Sequence, residues 1–435
     1  TQHTMGADTA TALCNLLLLT GNFGEFATGG YPMRGHNNVQ GASDFGCMPG
    51  RFPGYDFVTD DTVRARYEQA WGAELTTRKG LNNHEMVTHM HDGDLKSLYV
   101  VGEDMGIVDS DALHVQSAFE KLEFMVVQDM FFSRTCEFAD VVLPASPSVE
   151  KEGTFVNTER RIQRLYQVFE PLGDSKPDWL IHTELARALG ADWNYSHPSE
   201  IMHEAASIAD MFAGVHYDRL EGFNSQQWPV AADGTSQANL YSNGQFHFEN
   251  GMARFHPVHW TEPTDQPDDE YDLHLNNGRL LEHFHEGNLT DETPGIVFKI
   301  SRAFVEVPPD LAAERGVQPG SIVRLVSRRG AIKVAVEVTD RVSGHQLYMP
   351  MHGRANSEAI NVLTSFEADK DTDTPAYKEL AVRMEMISAD GTPPLKANNQ
   401  RNQARHPTSG VEVGRKWDRD DYRRPPKPRP TGSGL

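Results

Sequence analysis

The spacing of apolar residues along this 435-residue chain changes period several times, and each period predicts a different element. From Asp8 to Leu19 the apolar positions recur at helical spacing. Between residues 97 and 145 short apolar runs alternate with helical stretches. Leu98-Tyr99-Val100-Val101 ends at Gly102, helical spacing covers Ser110 to Leu122, and two more runs follow, Phe124 to Asp129 and Ala139 to Pro144. Strands alternating with helices predict a parallel sheet covered by helices on both faces. Ligands bind such sheets beyond the strand C-termini, which places Gly102-Glu103-Asp104 and Gln128-Asp129 at candidate binding edges. Asp174, Ser175 and Pro177 lead a further predicted helix, Lys176 to Leu189.

The periodicity then fades. Residues 214–270 are rich in Gly, Asn, Asp, Gln, Pro and aromatics and predict an irregular connector. From Tyr271 the pattern is β. Phe304 to Val307 and Gln346 to Met351 read as strands, Asp310 to Arg315 as a short helix stopped by Gly316, and Ser321–Ser327 with Ala331–Thr339 as a hairpin around Arg328-Arg329-Gly330. Short strands, tight turns and one small helix predict a compact β-barrel. No internal repeat is present.

Composition narrows the class. The longest apolar patch, Leu16 to Leu19, is far short of the ~20 residues of a membrane span. Sixty-two acidic side chains against 40 basic ones give a net charge of −22, which argues against a nucleic-acid surface. Arg outnumbers Lys, 28 to 12, a balance that suits either a high-salt cytoplasm or an ordinary acidic enzyme. The tail from about Ser388 is basic, Pro-rich and poor in apolar residues, and reads as an extended arm. Three cysteines without a C-x-x-C spacing exclude a self-contained four-cysteine cluster and fit a reducing, cytoplasmic setting. Of these, Cys14 falls in the apolar helical pattern and is expected in the core, while Cys47 lies near the loop described next.

The richest chemistry lies in Pro32-Met33-Arg34-Gly35-His36-Asn37-Asn38-Val39-Gln40-Gly41-Ala42-Ser43-Asp44. It combines a guanidinium, an imidazole and several amides and carboxylates around two glycines. The Arg34 fork matches a carboxylate bidentately, although a solvated loop arginine would look the same. His36 could relay a proton or simply brace the loop. His283 and His285, like His89 and His91, form an H-x-H, which on a strand would share a face, but no third metal ligand is evident.

Four segments together resemble the C-terminal half of the molybdopterin-dependent formate dehydrogenase α subunit, within the dimethyl sulfoxide reductase superfamily. They are Leu19-Thr20-Gly21-Asn22-Phe23-Gly24 leading into Arg34–Gly41; Val101-Gly102-Glu103-Asp104; Ala139–Pro144 through Glu150–Arg161; and Asn277-Gly278-Arg279 through Ala359–Thr364 to Pro375-Ala376-Tyr377-Lys378. The resemblance implies an α/β plus β fold: the later part of the α/β cofactor domains over 1–200, an irregular connector over 201–270, a six-stranded, double-psi-like barrel over 271–387, and a basic tail over 388–435. It implies a molybdenum or tungsten ion held by two molybdopterin guanine dinucleotides. Gly-rich turns, amides and carboxylates suit such a group, so Gly21, Asn22, Gly102, Glu103, Asp104, Gln128, Asp129, Gly153, Thr154, Asn277, Gly278 and Arg279 are candidate cofactor contacts. His283, Asn361, Tyr377 and Lys378 join them through the resemblance.

By the same resemblance Arg34 fixes formate beside the metal and His36 stands near it; many family members carry Gln at that position. The Cys or selenocysteine metal ligand and the [4Fe-4S] ligands of the family lie N-terminal to the matching segment, so they are expected from a preceding half or a split partner, with an iron–sulfur or diaphorase subunit taking the electrons. Two other readings stand beside formate oxidation. One is a molybdopterin enzyme acting on nitrate or another oxo-acceptor; the other is a cofactor-binding or assembly module without redox chemistry.

Overall fold

The computed structural model describes residues 1–300, 302–353 and 355–389. The predicted tail, apart from its first two residues, lies outside the described residues. In chain order the helices are α1 (Gly6–Leu19), α2 (Val39–Asp44), α3 (Asp61–Trp71), α4 (Asn83–Asp92), α5 (Met105–Val108), α6 (Ala112–Phe119), α7 (Asp178–Ala188), α8 (Pro198–Ile208), α9 (Pro294–Val297) and α10 (Pro309–Arg315).

Three strands, β1 (Ser97–Val101), β2 (Phe124–Asp129) and β3 (Val141–Pro144), form a parallel sheet in that order. The period-two pattern of β2 sends Met125 and Val127 to one face, where they pack with Val87 and Met90 of α4 and Val115, Ala118 and Phe119 of α6. Helices on both faces were expected, but the described chain covers only this one fully. On the other face Phe124 and Val141 keep 48% and 39% of their surface in solvent.

A second sheet is antiparallel: β4 (Gly153–Val156), β5 (Arg161–Leu165) and β6 (Ser225–Gln227). Its core side, Val156 and Ile162, packs with Met202, Ala205 and Ala206 of α8. The stretch read as an irregular connector therefore contains the end of α8 and a strand; from Trp228 to Asp272 neither helix nor strand occurs among the described residues.

The remaining strands, β7 (Leu273–Gly278), β8 (Phe304–Val307), β9 (Ile322–Val326), β10 (Ala331–Val338), β11 (Gln346–Pro350) and β12 (Leu380–Ser388), close into a six-stranded barrel in the order β10-β8-β11-β7-β12-β9. Pairing is mixed: β10–β8 and β11–β7 are parallel, the other pairs antiparallel. Closure removes the sheet edges, and the inward residues Leu273, Leu275, Val305, Val323, Leu325, Val334 and Leu347 fill the interior. The β9–β10 hairpin turns at Gly330, where a Cβ would stand 2.7 Å from the Val362 carbonyl.

The barrel grips the first sheet through main-chain carbonyls. The Asn361 amide donates to the carbonyls of Ile107 (2.9 Å) and Val108 (2.7 Å) in α5, and the Tyr377 hydroxyl donates to Val108 (3.1 Å). Asp111 N–H donates to Thr364 Oγ1 at 2.9 Å, and the Gln116 and Asn356 side chains exchange hydrogen bonds of 2.9 and 2.8 Å. Each of these donors satisfies an acceptor, while Asn361 Oδ1 is left without a partner among the described residues.

Helix α1 corrects one expectation. Cys14 is exposed, as are Leu13, Leu16 and Leu19. The helical period was read correctly, but among the described residues nothing covers that apolar side.

Candidate active site

The Arg34 loop is pinned at both ends to the second sheet. The Thr158 hydroxyl donates to the Pro32 carbonyl and accepts from Arg34 N–H at 3.4 Å, while Val156 N–H donates to the Asn38 side chain at 3.0 Å. Between these anchors the loop is exposed, and Arg34 borders a cavity of about 340 Å³ lined also by Tyr31, Gln40, Tyr55, Arg160 and Trp228. Among the described residues no carboxylate lies within ion-pair distance of the Arg34 guanidinium. Arg160, the other cation at this wall, is occupied by the carbonyls of Trp228, Gln237 and Ala238. Arg34 is therefore the cation free to take an anion entering the cavity.

Behind the wall Asp44, fully buried, accepts from Gln40 (2.6 Å), the Tyr55 hydroxyl (2.9 Å) and the Trp228 indole N–H (2.7 Å). Burial raises the Asp44 pKa, and these three donors and Arg34 oppose the rise. Sequence reasoning named Asp44 only as part of the loop and missed Tyr55 and Trp228. Their partners lie 11 and 184 residues away, and no local motif links them.

A second set of groups joins the loop to the barrel. His36 Nε2 lies 2.9 Å from His285 Nε2, and the Phe284 ring packs 4.8 Å from the His36 ring. Arg279 Nη2 lies 3.1 Å from His285 Nδ1. Burial first, then Arg279 and His36, push His285 down to about 4; burial and then Arg279 lower His36. His285 holds φ +53°, a left-handed conformation that costs a non-glycine residue on the order of 1 kcal/mol.

Beside these lies a recess of poorly satisfied carboxylates. Glu286 is 4% exposed, and both its oxygens lack a hydrogen-bond partner. Its burial, with Glu103 and Asp104 nearby, outweighs Arg279 and pushes it up to about 7. The Glu103 side chain keeps solvent contact, yet local desolvation and Asp109 push its carboxyl up to about 7 as well. Burial takes Asp109 to about 6 despite the amide of Asn83. Lys378 donates to the carbonyl and side-chain oxygens of Asn277; burial and then Arg279 lower its pKa.

These residues fit a pterin–guanine dinucleotide. Its amino and ring N–H groups would satisfy the orphaned Glu286 carboxylate and the buried, unpartnered Oδ1 of Asn361, and its phosphates would meet Arg279 and Lys378.

The other sequence candidates are placed differently. Gly102 sits at φ +63° just past β1 with open space where a Cβ would go, as a ligand-facing turn requires. Asp129 ends β2, its carboxylate accepting from Met130 N–H at 2.7 Å. Asp104 is spent on Thr135, whose N–H and hydroxyl it accepts at 2.8 and 2.7 Å. Gln128, fully buried, accepts from Tyr99 and donates to Asp178 at 2.7 Å. Gly21 and Asn22 close the C-terminus of α1, their N–H groups bonded to Leu18 and Leu17 carbonyls, so they do not form the anion-facing helix N-terminus expected of such turns. Gly153 and Thr154 are not a turn either: they lie in β4, paired with Leu165 and Arg164.

The paired histidines also differ from expectation. His285 turns to His36, while His283 stacks on His352 at 3.8 Å. The ligand atoms of His283, Asp291 and His352 converge within 4.8 Å of one another, but both His283 ring nitrogens are already bonded, to Thr290 Oγ1 and the Ile300 carbonyl at 2.9 Å each. The trio ties the segment after β7 to the turn after β11. His89 and His91 lie on α4, not on a strand, and point to different partners, Asp94 and the His114 carbonyl.

Comparison with known proteins gives the same picture. Residues 1–188 match the family model "Molybdopterin oxidoreductase", and residues 273–381 match "Molydopterin dinucleotide binding domain". A Bacillus subtilis protein named provisionally as an oxidoreductase, YjgC, is 58% identical over 97% of this chain. A Staphylococcus aureus protein named provisionally as a formate dehydrogenase is 55% identical over 97% of it. The chain spans 42% and 43% of the length of these two relatives. Acetylene hydratase from Pelobacter acetylenicus shares the fold, with a TM-score of 0.58 and 16% identity over 75% of this chain and 50% of that one. No helix among the described residues is long and apolar enough to cross a membrane. The parallel sheet, the closed barrel and the two matched regions agree, and the chain belongs to the molybdopterin oxidoreductase family.

Proposed function

We propose that this chain is the C-terminal, substrate- and cofactor-holding part of a formate dehydrogenase that oxidises formate to carbon dioxide. The observation that carries this reading is Arg34: a guanidinium with no carboxylate at ion-pair distance among the described residues, on an anchored loop at the wall of a cavity sized for a small molecule. A relative named provisionally as a formate dehydrogenase supports the choice of anion.

Glu286, Asn361, Arg279, Lys378, Gly102 and Asp129 would hold the bis-molybdopterin guanine dinucleotide. When bound, its molybdenum or tungsten supplies the two-electron acceptor that this chain's own side chains lack. Arg34 binds the formate carboxylate through a bidentate fork and fixes which way its C–H points. The Gln40, Tyr55 and Trp228 donors, held on Asp44, keep the cavity wall rigid around it. Breaking the C–H bond releases carbon dioxide, a proton and two electrons. The electrons would leave through iron–sulfur clusters carried outside this chain, on a preceding half or a partner subunit. Three free cysteines suit a cytoplasmic site for this reaction.

The test is formate:dye oxidoreductase activity of the full-length protein, with metal content measured alongside. Turnover that is lost in Arg34→Ala while metal content stays normal supports the reading. A metal-loaded wild type that never oxidises formate but reduces nitrate or another oxo-acceptor overturns it.

A further inference from the structure

The contacts around His36 fix more than its position. A guanidinium has hydrogens to donate and no lone pair to accept with. Arg279 Nη2 lies 3.1 Å from His285 Nδ1, so that nitrogen must be the acceptor, and a neutral His285 carries its one ring proton on Nε2. That Nε2–H faces His36 Nε2 at 2.9 Å, so His36 Nε2 is in turn the acceptor. The proton of His36 therefore sits on Nδ1. Among the described residues no acceptor takes that N–H, on a loop otherwise open to solvent.

We propose that His36 works as a neutral hydrogen-bond donor, its proton fixed on Nδ1 by the Arg279–His285 chain, and that it offers this N–H to the anionic substrate instead of acting as a base. This rests on the formate reading for its ligand, but not for the state of the ring. Its basic nitrogen is already occupied, so accepting a proton would require breaking the bond to His285. The charged groups facing the pair oppose or barely favour a cation: Arg279 is positive, and Glu286, the carboxylate within ion-pair distance of His285 among the described residues, stands 3.8 Å from its Nδ1 with half its charge suppressed near neutral pH. The left-handed backbone of His285 is what turns its ring toward the loop, a conformation retained at a cost. A Gln side chain also presents an N–H donor and no base, so Gln at this position separates the two roles.

The test combines a spectroscopic and a kinetic arm on the full-length protein. Long-range proton–nitrogen spectra of the ¹⁵N-histidine-labelled protein, with the His36 signal assigned by its loss in His36→Gln, should show the Nδ1–H tautomer, with the ring still neutral at its ordinary titration point of 6.5. In His285→Ala, with Nε2 released from its donor, the same ring should titrate higher than in the wild type. An Nε2–H tautomer, or a wild-type ring that titrates near 6.5, overturns the proposal. For formate kcat/KM, His36→Ala should lose about 30- to 100-fold, His36→Gln no more than about fivefold, and His285→Ala should gain an acid limb near pH 6. Equal loss in the Gln and Ala variants overturns the donor role. If the wild type oxidises no formate at all, the formate reading fails, and the spectra still decide the state of His36.

Discussion

Two polar regions of this molecule lie on either side of the barrel's contact with the first sheet, and they are built on opposite terms. At the seam, Asn361, Tyr377, Thr364, Gln116 and Asn356 bond to carbonyls and amides at ordinary distances. In the recess, Glu286 finds no hydrogen-bond donor among the described residues, Glu103 and Asp109 are forced up toward neutrality, and His285 sits in a left-handed backbone. A folded chain tolerates few unsatisfied buried groups and few perturbed carboxyls, and their presence together is why the recess is proposed as the ligand site. The seam holds the fold together; the recess and the loop beside it hold what the fold is for.

This contrast predicts which substitutions separate function from stability. The largest effect is expected for Arg34→Ala: formate kcat/KM down by about 10³-fold or more, with thermal stability and metal content within error of wild type. A matching loss of stability would move Arg34 to the structural side. Next is Asn361→Leu at the seam, which strands two carbonyls of α5 and should cost about 2 to 4 kcal/mol in denaturant unfolding. An effect below 0.5 kcal/mol would show that the seam is not what holds barrel and sheet together.

Glu286→Gln should act in the opposite sense. A carboxyl raised from 4.5 to about 7 binds more protons folded than unfolded, so its contribution falls as pH rises from about 4.5 through 7. The cofactor-free protein should therefore melt higher as the Gln variant, by about 1 to 2 kcal/mol at pH 8 and by nearly nothing at pH 4.5. A gain that is the same at both pH values would mean that charge is not the cause. His285 runs the other way: a ring pushed down to about 4 takes up fewer protons folded than unfolded, so its contribution is lost as pH falls from about 6.5 to 4. The smallest effect is expected at Val141, which is on neither side of the comparison. Val141→Thr on the open face of β3 should change stability by less than about 0.5 kcal/mol.

Much of this was legible in the chain. The strand Phe304–Val307 and the β9–β10 hairpin were readable because their alternation is local and their turns carry Gly and Arg. The β4–β5–β6 sheet was not: β4 opens with Gly153-Thr154, β5 is rich in Arg and Gln, and the third strand returns about 60 residues later. Nor could the helical period of α1 say that the Cys14 side would be bare, since period reports spacing and not what covers it. In the site, Arg34 and His36 stood out by type. What controls them did not, because Asp44's donors and the Arg279–His285 chain are assembled from segments far apart in sequence.

The grip of Asn361 and Tyr377 on α5 has a consequence for how this protein can vary. Both side chains hold carbonyl oxygens, which every amino acid carries, so the contact is blind to the side chain at Val108. In a saturation scan position 108 should accept other apolar side chains that still pack on the barrel core, while 361 accepts few, so that this seam can drift in sequence without the two halves of the fold letting go of each other.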